Sequence, residues 1–187
     1  MNFSGCTVYT ASDSYVASQI AETVCENNEF SFVRLDRGSS DRVGEKPITD
    51  EDLEKGYRTF FDGQSTAVIS HGYMVGKLFK ELVSETGLNK NIKLFDLIRS
   101  KPINRELTNQ LSRFGSIVIV DEQIEKSSLG CMLIPEILKL QPQGNFKNFC
   151  LEDNYLFEND GRHKLCEDNG LSLKVISRYL KSITKVK

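Results

Sequence analysis

The sequence has no tryptophan, only two histidines and no long apolar run. Because a membrane-spanning helix needs roughly 20 apolar residues in succession, we expect no membrane association. The start of the chain lacks the basic and apolar regions of a secretory signal peptide, which favours a cytoplasmic location. With 24 basic and 26 acidic residues the net charge is only −2, so no electrostatic argument favours nucleic acid as a partner.

The five cysteines form neither a disulfide pattern nor a metal pattern. Their number is odd and their spacing irregular, so without an export signal we predict reduced thiols. No Cys-x-x-Cys pair or Cys/His group indicates zinc, and we predict no metal site in this chain. The fingerprints of a dinucleotide-binding loop, a P-loop and a serine-hydrolase elbow are also absent. Individual residues, rather than a motif, are therefore the candidates for chemistry.

Strand-like runs alternate with helical patterns along the chain. Residues 7–10, a helical pattern over 11–28 and a strand at 30–35 predict one βαβ unit. The unit is predicted to be incomplete, because two strands and one helix cannot bury both faces of a sheet. Residues 38–52 are rich in Gly, Ser and Asp and lack apolar periodicity, which predicts a linker. A second set of strands and helices begins at Leu53.

The second set predicts a complete sheet. The Asp62-Gly63 pair favours a tight turn between the first two strands, and so an antiparallel first strand. Alternation of the later strands with helices favours a parallel arrangement for the others. The predicted fold is a three-layer α/β/α domain with a mostly parallel five-stranded sheet and one antiparallel strand. The strands are predicted at 57–61, 66–70, 92–97, 116–121 and 146–151.

Three carboxylates stand at the ends of predicted strands: Asp96, Asp121 and Glu122. Ligands in α/β proteins usually bind at the carboxyl ends of parallel strands. One interpretation is therefore acid–base chemistry or a magnesium site. The other is helix capping or ion pairing with nearby cations such as Arg99 and Lys101. We favour the second, because no nucleophile accompanies the acids, and we predict no catalytic residue.

Two further residues follow predicted strands. His71 lies where a strand turns into a helix, so it is either a contact for a ligand or a neighbouring domain, or a local turn residue. Arg37 follows the strand at 30–35 beside a glycine, a position that suits bidentate binding of phosphate or carboxylate. A surface arginine in a linker is the simpler interpretation of Arg37 from composition alone.

Three segments carry a resemblance to a known family. They are FVRLDRG at 32–38, TAVISHGYMV at 66–75, and KLFDLIRSKPINRELTNQLSRFGSIVIVDEQ at 93–123. In the same order, they resemble the Y-x-R-x-x-R-G strand, the I-x-x-x-G-S-x-V turn, and the V-I-D-L-R-T-[IL]-K-P-L-D segment with its following V-V-V-E-E strand. These belong to the carboxyl-terminal part of the transketolase family of thiamine diphosphate enzymes. The sequence departs from the family at His71, where a small residue is usual, and at Ser127 and Ser128, where the family has glycines.

The resemblance implies a division into domains. Residues 1–37 correspond to the last helix and strand of the pyrimidine-binding domain, 38–52 to a linker and 53–187 to the carboxyl-terminal domain. The family's metal motif and the glutamate that activates the cofactor have no counterpart in this sequence. The chain alone is therefore expected to bind no cofactor, whereas the intact enzyme would hold thiamine diphosphate and magnesium.

The resemblance also implies a function. The chain would be the carboxyl-terminal portion, or a small subunit, of an enzyme that transfers a two-carbon ketol unit between sugar phosphates. It would supply packing and homodimer contacts, be inactive alone and have the amino-terminal cofactor-binding part as its partner. Arg37 would hold a substrate phosphate, and His71, Asp121 and Glu122 would contact a ligand or another domain. The alternatives are a deoxyxylulose phosphate synthase or 2-oxo acid dehydrogenase beta-type fragment, and a stand-alone module that binds a small anion or a protein.

Overall fold

The computed structural model describes residues 4–37, 42–85 and 87–184 of the chain. Within these ranges strands and helices alternate over most of the length, as expected for an α/β fold. The strands are β1 Thr7–Thr10, β2 Ser31–Arg34, β3 Tyr57–Phe60, β4 Thr66–Ser70, β5 Ile92–Leu97, β6 Arg99–Lys101, β7 Ser116–Ile124 and β8 Asn145–Leu151. The α-helices are α1 Ser14–Glu26, α2 Asp50–Lys55, α3 Tyr73–Ser84, α4 Arg105–Leu111, α5 Leu129–Leu138, α6 Arg162–Asp168 and α7 Leu173–Thr184.

The larger sheet has five strands in the order β3-β5-β4-β7-β8. Strands β5, β4, β7 and β8 are parallel, and β3 runs antiparallel to β5 at the edge. This confirms the predicted five-stranded sheet with one antiparallel strand. The Asp62-Gly63 turn does not join paired strands, however, because β5 lies between β3 and β4. Every residue of β4 is buried, so this strand takes a central position and β3 is displaced to the edge.

Helices cover both faces of the five-stranded sheet. Successive strand residues point to opposite faces, so Val68 and Ile69 of β4 enter different cores. Val68 belongs to the core that contains residues of α3 and α7, and Ile69 to the core that contains residues of α4 and α5. The predicted three-layer α/β/α architecture is therefore confirmed.

A smaller sheet has three strands in the order β2-β1-β6. Strands β1 and β2 are parallel and are connected by α1, which forms the predicted βαβ unit. Strand β6 runs antiparallel to β1 and was not predicted. It follows β5 after one residue, Ile98, so one extended segment contributes a strand to each sheet. A third apolar core lies under α1 and includes Ile98, Ile48 and Leu53.

The predicted linker is packed against the rest of the molecule where it is described. Val43 is buried in the core that contains residues of α3, and Ile48 in the core under α1. Helix α2 begins inside the predicted linker, at Asp50. Thr49 caps it, since the Thr49 hydroxyl accepts from the Asp52 N–H and the Asp52 carboxylate accepts from the Thr49 N–H. The division into domains at 37 and 53 stays a prediction.

Candidate functional site

The carboxyl ends of four strands from both sheets meet around one small cavity. Its volume is about 40 Å³, and its lining includes Thr10 from β1, Arg34 from β2, His71 after β4 and Glu122 from β7. The chain reverses sharply into α3 at Gly72, whose φ of 60° and ψ of −143° favour glycine. The structure therefore brings the predicted residues His71 and Glu122 together at the end of the sheet where ligands usually bind.

His71 forms a buried pair with Asp121. The His71 Nε2 atom lies 3.0 Å from Asp121 Oδ1, and the other carboxylate oxygen accepts the Leu129 N–H at 2.7 Å. Burial by itself would raise the pKa of Asp121, but the contacts with His71 and Leu129 outweigh it and hold the pKa below its ordinary value. Nε2 therefore donates to an ionised carboxylate. His71 Nδ1 is also buried and has no hydrogen-bond partner among the described residues.

Arg162, the first residue of α6, joins the ends of β2 and β7. Its Nε and Nη2 atoms donate to the two oxygens of Glu122 at 2.8 and 2.5 Å, and Nη1 donates to Asp36 Oδ1 at 2.6 Å. The guanidinium also lies over the Tyr73 ring, 4.2 Å from its centroid. The hydrogen bonds with Glu122 and Asp36 raise the pKa of Arg162. The Glu122 carboxylate is thus paired with Arg162, and Arg162 links β7 of the larger sheet to the end of β2 in the smaller sheet.

The Glu122 carboxylate also accepts a hydrogen bond from the Cys166 thiol, with 3.3 Å between Sγ and Oε1. Burial and this contact raise the pKa of Cys166 to about 12. A thiol with such a pKa stays protonated at neutral pH and is a weak nucleophile. The cysteine beside the cavity therefore acts as a hydrogen-bond donor rather than as a reactive group.

Asp96 lies away from the cavity in a separate buried network. The Arg58 Nε atom donates to Asp96 Oδ2 at 2.9 Å, and the Ser12 hydroxyl donates to the same oxygen at 2.6 Å. Arg58 Nη2 reaches Asp13 Oδ2 at 3.1 Å. The expected cations Arg99 and Lys101 do not fill this role. Arg58 does, because the antiparallel register places it directly opposite Asp96.

Two carboxylates therefore share the single guanidinium of Arg58. Burial raises the pKa of Asp96, which Arg58 and Ser12 only partly oppose. Burial acts on Asp13 in the same direction, but the N–H groups of Val43 and Val16, together with Arg58, lower its pKa. Asp13 is therefore the more acidic of the two carboxyl groups. This arrangement fits the structural interpretation of Asp96, since the network lies between the two sheets.

Arg37 is exposed and is not part of the cavity lining, so its assignment as a phosphate contact stays a prediction. Among residues 4–37, 42–85 and 87–184, no group of three or more His, Cys, Asp or Glu side chains is arranged to hold a metal ion. None of the helices in the described ranges is long and apolar enough to cross a membrane.

Two residues that organise this region were not predicted. Arg162 lies in a polar stretch that gives no helical signal, and its position depends on how α6 packs. The sequence around Arg58 did contain a usable signal. An arginine within the apolar run YRTFF is buried only when a carboxylate accompanies it. That signal indicates a buried acid on a neighbouring strand, and Asp96 is the one found.

Comparison with known proteins supports the fold. No family model and no curated protein matches the chain. A solved structure described as split gene transketolase, inactive beta4 tetramer, matches with a TM-score of 0.79 and 18% sequence identity. The chain has the fold of a transketolase carboxyl-terminal region. The match covers 98% of this chain and 59% of the solved chain, and at this identity it establishes the fold alone.

Proposed function

We propose that the chain is the carboxyl-terminal portion, or a separate small subunit, of a thiamine diphosphate-dependent enzyme of the transketolase type. One observation carries the proposal: the likeness covers 98% of the chain. It therefore includes the βαβ unit and the five-stranded domain in the same relative arrangement, and not only a common α/β sheet. The matched protein is itself described as the product of a split gene.

The contacts within the chain support a structural role in this enzyme. The Asp96 carboxyl is paired with Arg58, Asp121 with His71 and Glu122 with Arg162. Arg58 and Arg162 also pair with Asp13 and Asp36, which follow strands of the smaller sheet, so these contacts stabilise the arrangement of the two sheets, whereas His71 and Asp121 join two strands of the larger sheet. None of the three acids is available as a general acid or base without breaking its pair. The chain would therefore contribute packing and homodimer contacts, and it would be inactive alone.

The amino-terminal part of the enzyme would supply the chemistry. It would bind thiamine diphosphate and magnesium, because the family's metal motif and the glutamate that activates the cofactor have no counterpart in this sequence. Thiamine diphosphate supplies a stabilised carbanion for the transfer of a two-carbon unit. The proposed reaction transfers a ketol unit between sugar phosphates in the cytoplasm, with Arg37 as a contact for the substrate phosphate.

Native mass spectrometry of the protein from its own cells tests this proposal. The protein is purified under mild conditions with magnesium and thiamine diphosphate, and the assembly is assayed with a ketose phosphate donor and an aldose phosphate acceptor. A longer polypeptide, or the 187-residue chain held by a larger partner, is expected together with ketol transfer. The chain found alone or paired only with itself would contradict the proposal, and turnover with pyruvate in place of the ketose phosphate would favour a synthase.

A stand-alone binding module is the second candidate. Thr10 Oγ1 and His71 Nδ1 are both buried without a hydrogen-bond partner among the described residues, and both residues line the cavity. A small anion there would accept from the Thr10 hydroxyl, and from Nδ1 only when His71 carries both ring protons. Its binding would raise the melting temperature of the isolated chain. Thermal unfolding with inorganic phosphate tests this, with His71→Ala as the variant and His163→Ala as the control. No rise in wild type, or an equal rise in both variants, would exclude the module.

A further inference from the structure

We propose that a cavity at the amino-terminal end of the larger sheet binds a small hydroxylated phosphate monoester through Lys93 and Arg113. The cavity has a volume of about 380 Å³, and its other lining residues are Gln64, Gln110 and Phe114. It lies at the opposite end of the sheet from the cavity at the carboxyl ends of the strands, since Gln64 precedes β4 and Lys93 is the second residue of β5. The proposal does not depend on the proposed function.

Lys93 lies beside a gap on the face of the sheet that α4 covers. Successive residues of β5 point to opposite faces, so Lys93 shares its face with Phe95, which belongs to the core that contains residues of α4 and α5. Its partner on β4 is Ala67, whose methyl group fills little space. On the other side, the pairing of β3 with β5 ends at Leu94. The half-buried Lys93 side chain is therefore left beside an open cavity.

The two walls of the cavity are held by hydrogen bonds within the chain. The turn that contains Gln64 is bound to the start of β5, because the Gly63 N–H donates to the Ile92 carbonyl at 3.3 Å. A side chain at Gly63 would collide with the main chain of Ile92, so only glycine allows this close approach. On the other wall, the Phe114 carbonyl accepts a hydrogen bond from the Gln141 side chain at 3.3 Å. The cavity is thus formed without a ligand, as is usual for small-molecule sites.

The lining carries two positive charges and no negative charge. The side chains of Lys93 and Arg113 form no ion pair and no hydrogen bond within the described part of the chain. Glu106, the acid of α4, is instead close to Lys55 and accepts a hydrogen bond from Gln110 Nε2 at 3.3 Å. Two like charges that line one cavity repel each other, and an anion between them offsets that repulsion.

The donor groups select a phosphate monoester. A guanidinium can donate to two oxygens of one phosphate, and an ammonium to a third. The charge of a phosphate monoester near −2 matches the two cations, whereas a single carboxylate would neutralise only one. The cavity volume falls in the ordinary range for small-molecule sites, so there is room for a carrier beside the phosphate. The amides of Gln64 and Gln110 line the cavity and can form hydrogen bonds with hydroxyl groups of that carrier.

Isothermal titration calorimetry of the full 187-residue chain tests the proposal. The probes are glycerol 3-phosphate, inorganic phosphate and glycerol, all at one ionic strength so that screening stays constant. Arg113→Gln removes one charge from the lining, and because Arg113 is exposed the variant should fold normally. Lys93→Met removes the second charge and keeps the apolar stem. Arg105→Gln is the matched control, since Arg105 is an exposed cation of α4 outside the lining.

We expect glycerol 3-phosphate to bind at one site per chain, and glycerol not to bind. Arg113→Gln and Lys93→Met should each weaken the binding at least about tenfold, because each removes a charge-assisted hydrogen bond. Arg105→Gln should leave the affinity unchanged. Gln64→Ala should weaken the binding of glycerol 3-phosphate but not that of inorganic phosphate. Urea unfolding shows whether the variants fold as the wild type does.

Several outcomes would overturn the proposal. One is the absence of binding in the millimolar range, and another is a wild-type affinity in Arg113→Gln. Equal weakening by Arg105→Gln would show that only the net charge of the chain matters. Inorganic phosphate that binds as tightly as glycerol 3-phosphate would refute the hydroxylated carrier. Loss of binding in His71→Ala would place the anion in the other cavity, so this variant separates the two sites.

Discussion

Arg58 on β3 lies directly opposite Asp96 on β5, with 2.9 Å between the guanidinium Nε and the carboxylate Oδ2. The two side chains are 4% and 0% exposed. The same guanidinium reaches Asp13, which caps α1 by accepting the Val16 N–H. One buried cation therefore connects the edge of the larger sheet to the first helix of the chain.

Removal of that cation should strongly destabilise the fold. Arg58→Met would leave Asp13 and Asp96 buried without a counter-charge, and the expected loss in free energy of unfolding is about 3–5 kcal/mol. Urea unfolding measures it. The control is Lys126→Met, which breaks a pair with Asp153 whose side chains are 87% and 67% exposed. There we expect a change below about 0.5 kcal/mol, and comparable losses in the two variants would contradict the prediction.

The His71–Asp121 pair predicts a loss of stability in acid. The pKa of Asp121 lies below its ordinary value of 3.8 in the folded chain, so the folded state favours the ionised form. Its stabilisation is therefore present above the ordinary value and is lost as the pH falls through the folded pKa. The difference in unfolding free energy between wild type and Asp121→Asn should stay constant above about pH 5 and shrink as the pH falls below the ordinary value of 3.8. The exposed residue Asp153 provides the control, and the same trend in Asp153→Asn would refute the assignment to Asp121.

Gly72 should not tolerate a side chain. Its φ is 60°, and a Cβ at this position would lie 3.1 Å from the Thr10 Cγ2 atom, so both strain and crowding oppose Gly72→Ala. We expect a loss of about 1–3 kcal/mol in thermal or urea unfolding. Gly115→Ala is the matched control, because the nearest atom to its Cβ would be 4.0 Å away. If the two variants unfold alike, the strain at Gly72 is not real.

The contribution of Arg162 should depend on salt. Its side chain is 44% exposed, so solvent and ions screen its pairs with Glu122 and Asp36. Arg162→Gln should cost about 1 kcal/mol at low ionic strength and clearly less in about 1 M salt. Lys164→Gln, which removes an exposed pair with Asp160, is the comparison and should cost less. A loss from Arg162→Gln that does not change with salt would show that its packing on Tyr73 matters more than its charge.

Arg37 should affect substrate binding rather than stability. Because the Arg37 side chain is exposed in the folded chain, its replacement should change the free energy of unfolding very little. In the assembled enzyme, Arg37→Ala should raise KM for a phosphorylated substrate at least about tenfold, with a smaller change in kcat, because it removes a charge-assisted contact. A substrate analogue without the phosphate is the control and should show no such difference. Equal effects on both substrates would exclude a phosphate contact.

Much of the fold follows from local patterns in the sequence. The buried runs of β4, β5 and β7 are continuous and apolar, and the amphipathic spacing of α3 and α7 is regular, so their positions could be predicted. His71 and Glu122 could be expected at one end of the sheet, because parallel strands share that end. The structure adds that Asp121 and His71 contact each other directly.

The remaining features depend on contacts between distant segments. Arg99–Lys101 is a strand only because β1 lies beside it, and three polar residues carry no strand signal of their own. Strand β3 precedes a turn that favours a hairpin with β4, yet the burial of β4 between β5 and β7 leaves β5 as the neighbour of β3. Arg162 contacts Asp36, which lies 126 residues earlier in the chain, because of how α6 packs. No local pattern contains such information.

The contacts of Arg58 connect the regions on either side of residues 38–52, the segment whose composition is typical of a linker. Ser12 and Asp13 belong to the first predicted domain, and Arg58 and Asp96 to the second. A fragment that begins at residue 53 would keep the guanidinium and Asp96 but lose Asp13 and Ser12. We therefore expect the two parts to unfold as one cooperative unit. If this fold is divided between two genes, we expect it to tolerate a break before β1 but not a break within residues 38–52.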